Sequence, residues 1–108
     1  MEKEVKRLYL SGPITSIGVD RAREIFGRAE ADLKKRGFDV VSPFNNGLPQ
    51  TATYVEHMAA DIAMLKTCDT ICLLPGWWKS MGATSEKLVA EDMNMNIITY
   101  RKIRRRLR

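Results

Sequence analysis

The chain has 108 residues, of which 44% are hydrophobic and 29% are charged, and its formal net charge at pH 7 is +5. These values are ordinary for one soluble globular domain, and the apolar runs are far too short to span a bilayer. The start of the chain lacks the basic and apolar pattern of a secretory signal. Cys68 and Cys72 lie beside and inside an apolar run, which indicates buried, reduced thiols in a cytoplasmic protein.

The positive charge comes from the end of the chain. Residues 101–108 hold six of the 18 lysines and arginines and no acid, so residues 1–100 carry 12 basic and 13 acidic side chains. We predict one domain over residues 1–100 and a basic tail over residues 101–108. The tail can bind nucleic acid weakly and nonspecifically, or it is a solvated, poorly ordered end on which no core element depends. The lack of aromatic residues between the arginines favours the solvated end.

Strands and helices are predicted to alternate along the chain. The predicted strands cover residues 7–11, 38–41, 70–74 and 96–100, and the helices between them cover residues 20–36, 54–66 and 82–94. This order implies a flavodoxin-like (Rossmann-like) three-layer α/β domain, with a four-stranded parallel sheet covered by helices on both faces. The inward stripe of the second helix is predicted to hold Val55, Met58, Ala59, Ile62 and Leu65. His57 is predicted to point away from that stripe into solvent.

Ligands of such sheets bind at the carboxyl ends of the strands, where the strand order reverses. The loops predicted at that edge cover residues 11–18, 42–53 and 75–82, and the second of them contains the pair Asn45-Asn46. The start of the third helix, with Ser80 and Gly82, faces the same edge and can hold an anion. A zinc site is not predicted, because the cysteines have C-x3-C spacing and the chain has one histidine.

Glu86 is the most informative residue of the third helix. Its neighbours at helical spacings of three, four and seven residues are apolar: Ala83, Val89, Ala90 and Met93. A carboxylate within an apolar stripe is expensive to desolvate unless it has a function. The alternative is a partly exposed acid that favours the positive end of the helix dipole. The local pattern alone leaves both interpretations open.

Three blocks of sequence, taken together, resemble a known superfamily. The blocks are Tyr9-Leu10-Ser11-Gly12-Pro13-Ile14, residues 61–69, and residues 74–77 followed by 80–86. In this order they are similar to nucleoside 2-deoxyribosyltransferases and to the related 2'-deoxynucleoside 5'-monophosphate N-glycosidases. They are most similar to a small bacterial and phage branch of that superfamily. The resemblance covers nearly the whole chain up to Tyr100.

The resemblance implies cleavage of the base–sugar bond of a (deoxy)nucleoside or its 5'-monophosphate, by hydrolysis or by transfer to a second base. It places the nucleophile on Glu86, the acid on Asp61, and a tyrosine near the nucleophile and sugar on Tyr9. A surface acid and a core aromatic are the alternatives for Asp61 and Tyr9. Substrate contacts are expected from Ser11, Gly12, Pro13, Ser80, Gly82 and Trp77. No cofactor or metal is expected.

Several details of the resemblance concern specificity. Ser80 corresponds to a serine that touches the 5'-phosphate in the monophosphate glycosidases, which favours that branch. Pro13 and Thr15 stand where those glycosidases have a phosphate-contacting serine and an arginine, which argues against strong phosphate binding. Trp77 and Trp78 either form a wall against the base or pack at a subunit interface. Because relatives complete their sites with a neighbouring subunit, a homodimer or higher even oligomer is expected.

Two other functions stay open. The Pro75-Gly76 pair followed by Gly82 and Glu86 is also similar to the loop of nucleoside 5'-monophosphate phosphoribohydrolases, although the spacing differs. A nucleotide-binding module that senses without turnover is the alternative outside enzymes. Glu86 discriminates between these classes, because an enzyme of this kind needs its carboxylate and a sensor does not. Asp69, just before the third strand, is interpreted as structural.

Overall fold

The computed structural model describes residues 5–106. The elements in chain order are β1 (Arg7–Ser11), α1 (Val19–Lys35), β2 (Asp39–Val41), α2 (Tyr54–Leu65), β3 (Thr70–Leu73), α3 (Met81–Asp92), β4 (Asn96–Thr99) and α4 (Tyr100–Arg106). Two short 3-10 turns, Pro43–Asn45 and Trp77–Lys79, precede α2 and α3. The predicted strands and helices are all present, with ends shifted by two residues at most. None of the described helices is long and apolar enough to cross a membrane.

The four strands form one parallel sheet in the order β2-β1-β3-β4. Tyr9 of β1 pairs with Val41 on one side and with Ile71 of β3 on the other. The chain moves outward from β1 to β2 and then returns to the opposite side of β1, so the strand order reverses between β1 and β3. The predicted flavodoxin-like α/β architecture is confirmed. The carboxyl ends of β1 and β3 therefore form the crevice where ligands bind in such sheets.

Alternation along β1 divides the core between the two faces of the sheet. Leu8 and Leu10 pack on one face in a cluster with Phe26 of α1. Tyr9 packs on the opposite face, in a cluster with Leu65 of α2 that also includes Ala90 of α3. Since side chains two residues apart share a face, Ser11 is on the same side as Tyr9. This placement directs both hydroxyl-bearing side chains of β1 toward α2 and α3.

The face that α2 buries differs from the prediction. Val55 is 74% exposed and Ala59 is also exposed, whereas Asp61 and Leu65 are buried. His57, one turn before Asp61, was predicted to point into solvent, but it is half-buried. Apolar residues occur on nearly every side of this helix, so their pattern does not determine which side faces the sheet. The stripe of residues 57, 61 and 65, at four-residue spacing, is the one that packs inward.

Residues 100–106 form α4, which was not predicted. Ile103 is 2% exposed and belongs to the core cluster on the α1 side of the sheet. The Tyr100 hydroxyl anchors the start of α4 by donating to Asp32 Oδ2 at 2.7 Å. The expectation that no core element depends on residues 101–108 is therefore wrong at Ile103. A short helix turns this one apolar side chain inward, while the neighbouring Lys102 and Arg104 stay exposed.

Two smaller predictions concern structural residues, and both are confirmed. Cys68 and Cys72 are buried, free thiols. The Asp69 carboxylate accepts hydrogen bonds from the backbone N–H groups of Lys6 and Arg7, at 2.8 to 3.1 Å. It thereby ties the start of β1 to the start of β3. The domain boundary at residue 100 stays a prediction.

Candidate active site

Glu86 presents a buried carboxylate at the crevice between β1 and β3. Its side chain is 5% exposed. Ser11 Oγ donates to Glu86 Oε1 at 2.6 Å, and the Tyr9 hydroxyl donates to Glu86 Oε2 at 2.5 Å. Each carboxylate oxygen is therefore held by a hydroxyl of the central strand. The exposed-acid interpretation of Glu86 is wrong. Tyr9 is a core aromatic, 0% exposed, whose hydroxyl also contacts this carboxylate.

The start of α3 brings Glu86 to this position. Ser80 caps the helix, because its Oγ accepts a hydrogen bond from the Ala83 N–H at 3.1 Å. The hydroxyls of Thr84 and Ser85 donate to backbone carbonyls of the preceding turn. These three hydroxyls thus form hydrogen bonds with backbone groups in the first turns of α3. The next residue, Glu86, points at β1. The predicted phosphate-binding hydroxyl of Ser80 therefore also has a capping role.

Gly12 allows the end of β1 to lie against the end of β3. A Cβ atom at this position would stand 2.8 Å from Leu74 Cβ, which is closer than such atoms approach. Glycine is the residue that permits this contact. The close approach keeps Ser11, the preceding residue, within hydrogen-bonding distance of Glu86.

Asp61 is a second buried acid in the same crevice, with 7% exposure. Its Oδ1 accepts a hydrogen bond from Asn46 Nδ2 at 2.8 Å. The same amide nitrogen lies 3.0 Å from His57 Nδ1. His57 and Asp61 share one face of α2 because they are four residues apart. The surface-acid interpretation of Asp61 is wrong.

A cavity of about 300 Å³ connects the two acids. The β1–α1 loop, the segment before α2, and the faces of α1, α2 and α3 line it. Its lining includes five predicted site residues: Gly12, Asp61, Ser80, Gly82 and Glu86. Arg23 supplies the one lysine or arginine side chain that lines this cavity within residues 5–106, and its guanidinium carbon lies 4.8 Å from the Phe44 ring centre.

Three other predicted site residues have different places. Ser11 contacts Glu86 beneath the cavity. Pro13 lines a separate cavity of about 240 Å³. Trp77 packs against a core cluster, with Lys87 Nζ 5.4 Å from its ring centre, and Trp78 is 61% exposed. Contrary to prediction, neither Pro13 nor Trp77 lines the cavity of the two acids. The indole of Trp77 lies beside Lys87 of α3 instead.

Burial raises the pKa of both acids. It raises the pKa of Glu86 from 4.5 to about 7, and the nearby Asp61 charge raises it as well, against the hydrogen bonds from Ser11 and Tyr9. Burial also raises the pKa of Asp61, while the Asn46 hydrogen bond and His57 act in the opposite direction. The pKa of Tyr9 lies well above 10.0 through burial and the charge of Glu86, so its hydroxyl stays a hydrogen-bond donor. Two carboxyl groups of this kind in one cavity can divide the roles of nucleophile and acid.

Sequence reasoning missed three polar contributors to the site. Asn46 was noted only as part of an asparagine pair in a loop, His57 was placed in solvent, and Arg23 was not singled out. The four-residue spacing from His57 to Asp61 was the available signal for His57. Asn46 and Arg23 reach the cavity from other elements, and no spacing within the sequence indicates that.

In its fold, the chain is an α/β domain similar in architecture to a solved deoxyribosyltransferase. It is similar to the solved structure of the 2-desoxiribosyltransferase from Leishmania mexicana, with a TM-score of 0.67 and 19% sequence identity. The match covers 87% of this chain and 63% of that one, so this chain spans less than two thirds of that protein. The chain belongs to the family described as "Domain of unknown function (DUF4406)", whose model matches residues 6–99. No curated protein matches it.

Proposed function

We propose that the protein cleaves the N-glycosidic bond of a (deoxy)nucleoside or its 5'-monophosphate through a covalent glycosyl ester on Glu86. One observation carries the proposal: the Glu86 carboxylate is buried, both its oxygens accept hydroxyl hydrogen bonds from β1, and it shares a cavity with a second buried acid. The likeness to a deoxyribosyltransferase fold supports the same chemistry. We propose that the second acid, Asp61, is the proton donor.

The reaction proceeds in two displacements. In the first, a Glu86 oxygen forms a bond to the anomeric carbon while the bond from that carbon to the base nitrogen breaks. The electron pair leaves with the base, and Asp61 supplies the proton that the base takes. In the second, water attacks the anomeric carbon, the ester bond to Glu86 breaks, and Asp61 accepts the proton of the water. A second base in place of water gives transfer.

Tyr9 and Ser11 have a defined part in this sequence. Their hydrogen bonds orient the Glu86 carboxylate before attack. The negative charge leaves this carboxylate when the ester forms and returns when the ester breaks. Fixed hydroxyl donors stabilise that returning charge without reorganisation, which accelerates the second displacement.

The cavity also contains groups suited to a 5'-phosphate. Ser80 and Gly82 lie at the start of α3, and Arg23 contributes a cation. Phosphate oxygens accept charge-assisted hydrogen bonds from such donors. We therefore propose that 5'-monophosphates are better substrates than nucleosides.

The test is a panel of ribo- and deoxyribonucleosides and their 5'-monophosphates, scored for released base with the wild type and Glu86→Gln. We expect the variant to fold and to lose turnover by several orders of magnitude, because the covalent route is removed. Glu91→Gln is the matched control, since Glu91 lies on the same helix but is exposed and paired with Lys87. Near wild-type base release by Glu86→Gln would contradict the proposal. A wild type that binds nucleotides without releasing base is a sensing module, and turnover confined to ribonucleoside monophosphates indicates a phosphoribohydrolase.

The phosphate assignment is tested in the same panel with Ser80→Asp. Aspartate retains the capping function at this position but places a negative charge in the cavity. The preference for monophosphates over nucleosides is a difference in activation free energy. We expect the variant to reduce this difference by about 1 kcal/mol or more, the scale of a charge-assisted hydrogen bond. Ser85→Asp is the control, because Ser85 lies on the same helix and does not line the cavity. Equal wild-type activity on nucleosides and monophosphates would refute the phosphate assignment.

A further inference from the structure

The side-chain amide of Asn46 has a partner at each end. Its Oδ1 accepts the Leu48 N–H at 3.0 Å. Its Nδ2 donates to Asp61 Oδ1 at 2.8 Å and lies 3.0 Å from His57 Nδ1. Rotating the amide by half a turn would set its oxygen against the Asp61 carboxylate, an acceptor against an acceptor. The amide orientation is therefore determined by its surroundings.

The two hydrogens of this amide nitrogen match the two acceptors. One is directed to Asp61, and the other meets His57 Nδ1 as an acceptor, which places the ring proton of a neutral His57 on Nε2. Asp61, His57 and Asn46 all line the same cavity. His57 thus holds Asn46 from the side opposite Leu48, and Asn46 holds Asp61.

We infer that Asn46 is a positioning residue that engages Oδ1 of Asp61 and leaves Oδ2 as the oxygen that carries the proton to the leaving base. The catalytic consequence rests on the proposed function, whereas the hold of Asn46 on Asp61 does not. An acid whose two oxygens were equivalent would present its proton in the cavity only part of the time. The fixed amide removes that freedom, and orientation of this kind is a recognised source of rate.

The first experiment measures the Asp61 carboxyl directly. The groups that face it are Glu86, Tyr9, His57 and Asn46. In a Glu86→Gln background the coupling between the two acids is absent, so the 13C chemical shift of the Asp61 carboxyl can be followed with pH. Asn46→Ala removes a donor that favours the charged carboxylate, and we expect Asp61 to titrate at higher pH. Asn46→Asp keeps the shape of the side chain and the oxygen that accepts the Leu48 N–H. We expect it to move the Asp61 titration to still higher pH.

Asn45→Ala is the matched control for this titration. Asn45 is exposed and is the last residue of the 3-10 turn that Asn46 caps. We expect it to leave the Asp61 titration at the position of the parent protein. An Asp61 titration that is the same in Asn46→Ala, Asn46→Asp and Asn45→Ala would overturn the inference.

The second experiment uses the leaving group to separate positioning of the acid from general damage to the site. Asn46→Ala should slow base release from a nucleotide by about tenfold or more, part of what a positioned general acid contributes. It should act nearly as fast as wild type on 4-nitrophenyl 2-deoxyriboside 5-phosphate, because nitrophenolate leaves without a proton. Equal losses on both substrates would overturn the positioning role. If the wild type releases no base or nitrophenol, the proposed function fails, and the titration alone decides the hold of Asn46 on Asp61.

Discussion

The buried Glu86 carboxyl makes the stability of the folded protein depend on pH. Its pKa rises from 4.5 to about 7 on burial, so between these values the folded state keeps a proton that the unfolded state releases. The stabilisation from this group is therefore fully present below pH 4.5 and is lost as pH rises through about 7. The change corresponds to about 3 kcal/mol in the free energy of unfolding.

We expect Glu86→Gln to remove most of this pH dependence. Urea unfolding of the wild type and the variant at pH 4.5, 6 and 8 measures the effect, and the difference between the two proteins isolates the one group. Glu91→Gln should keep the wild-type slope, since Glu91 is exposed. A stability difference between wild type and Glu86→Gln that is constant across this range would contradict the expectation.

At the scale of elements, substitution by alanine is expected to have opposite effects on stability at two glycines. Gly12 lies where a Cβ would meet Leu74 Cβ at 2.8 Å, so Gly12→Ala forces the β1–α1 loop away from β3. We expect lower stability, by about 1–3 kcal/mol as for overpacking, and a loss of turnover as Ser11 moves from Glu86. Gly27 is exposed within α1, and a Cβ there would meet no other part of the protein within 4 Å, so Gly27→Ala should stabilise by about 0.5–1 kcal/mol. Thermal unfolding and base release are measured for both variants, and equal effects of the two substitutions would refute the close-approach argument.

The helix α4 contributes to the core through one side chain. Ile103 is buried with Leu8 and Leu33, so Ile103→Ala is expected to lower the free energy of unfolding by about 2–5 kcal/mol. Arg105 is exposed on the same helix, and Arg105→Ala should stay within about 0.5 kcal/mol of wild type. Truncation after Tyr100 should be at least as damaging as Ile103→Ala. Urea unfolding measures all three, and a truncated protein of wild-type stability would show that α4 is dispensable.

At the scale of the whole molecule, α2, α3 and the turn before α3 leave large apolar side chains in solvent. The exposed fractions are 53% for Tyr54, 74% for Val55, 61% for Trp78, 76% for Met81 and 66% for Leu88. Exposed apolar surface of this kind is typical of protein–protein contacts. We predict that the protein is a homodimer or higher even oligomer with α2 among its contacts.

Light scattering at micromolar concentration tests the oligomer. Val55→Glu should reduce the measured mass to that of one chain, because it places a charge on the exposed apolar surface of α2. Ala31 is exposed on α1, whose core side chains pack on the other face of the sheet, and Ala31→Glu should leave the mass unchanged. A wild-type protein that is a monodisperse monomer would refute the prediction.

The elements and the parallel arrangement of the sheet were predictable because their signals are local. Strand and helix periods and the β–α alternation are each readable over a few residues, and parallel connectivity then limits the topology. The face of α2 was not predictable, because Val55 and Ala59 are as apolar as the residues that pack inward. Helix α4 was hidden by its charge, since one isoleucine among arginines produces no amphipathic pattern.

The sequence drew attention to Glu86, because a carboxylate among apolar residues at helical spacing is costly wherever the helix packs. The local pattern still left an exposed acid as an alternative, and the structure excludes it. The family blocks added Asp61 and Tyr9. Only the tertiary structure placed Tyr9 and Ser11 on the two oxygens of Glu86 and moved Trp77 out of the cavity. It alone joined Asn46 and His57 to Asp61, since the segment between Asn46 and α2 has no periodicity and its path depends on packing against the finished sheet. Side chains that meet across the crevice lie up to 77 positions apart in the chain, and that proximity comes from the folded sheet and not from any local pattern.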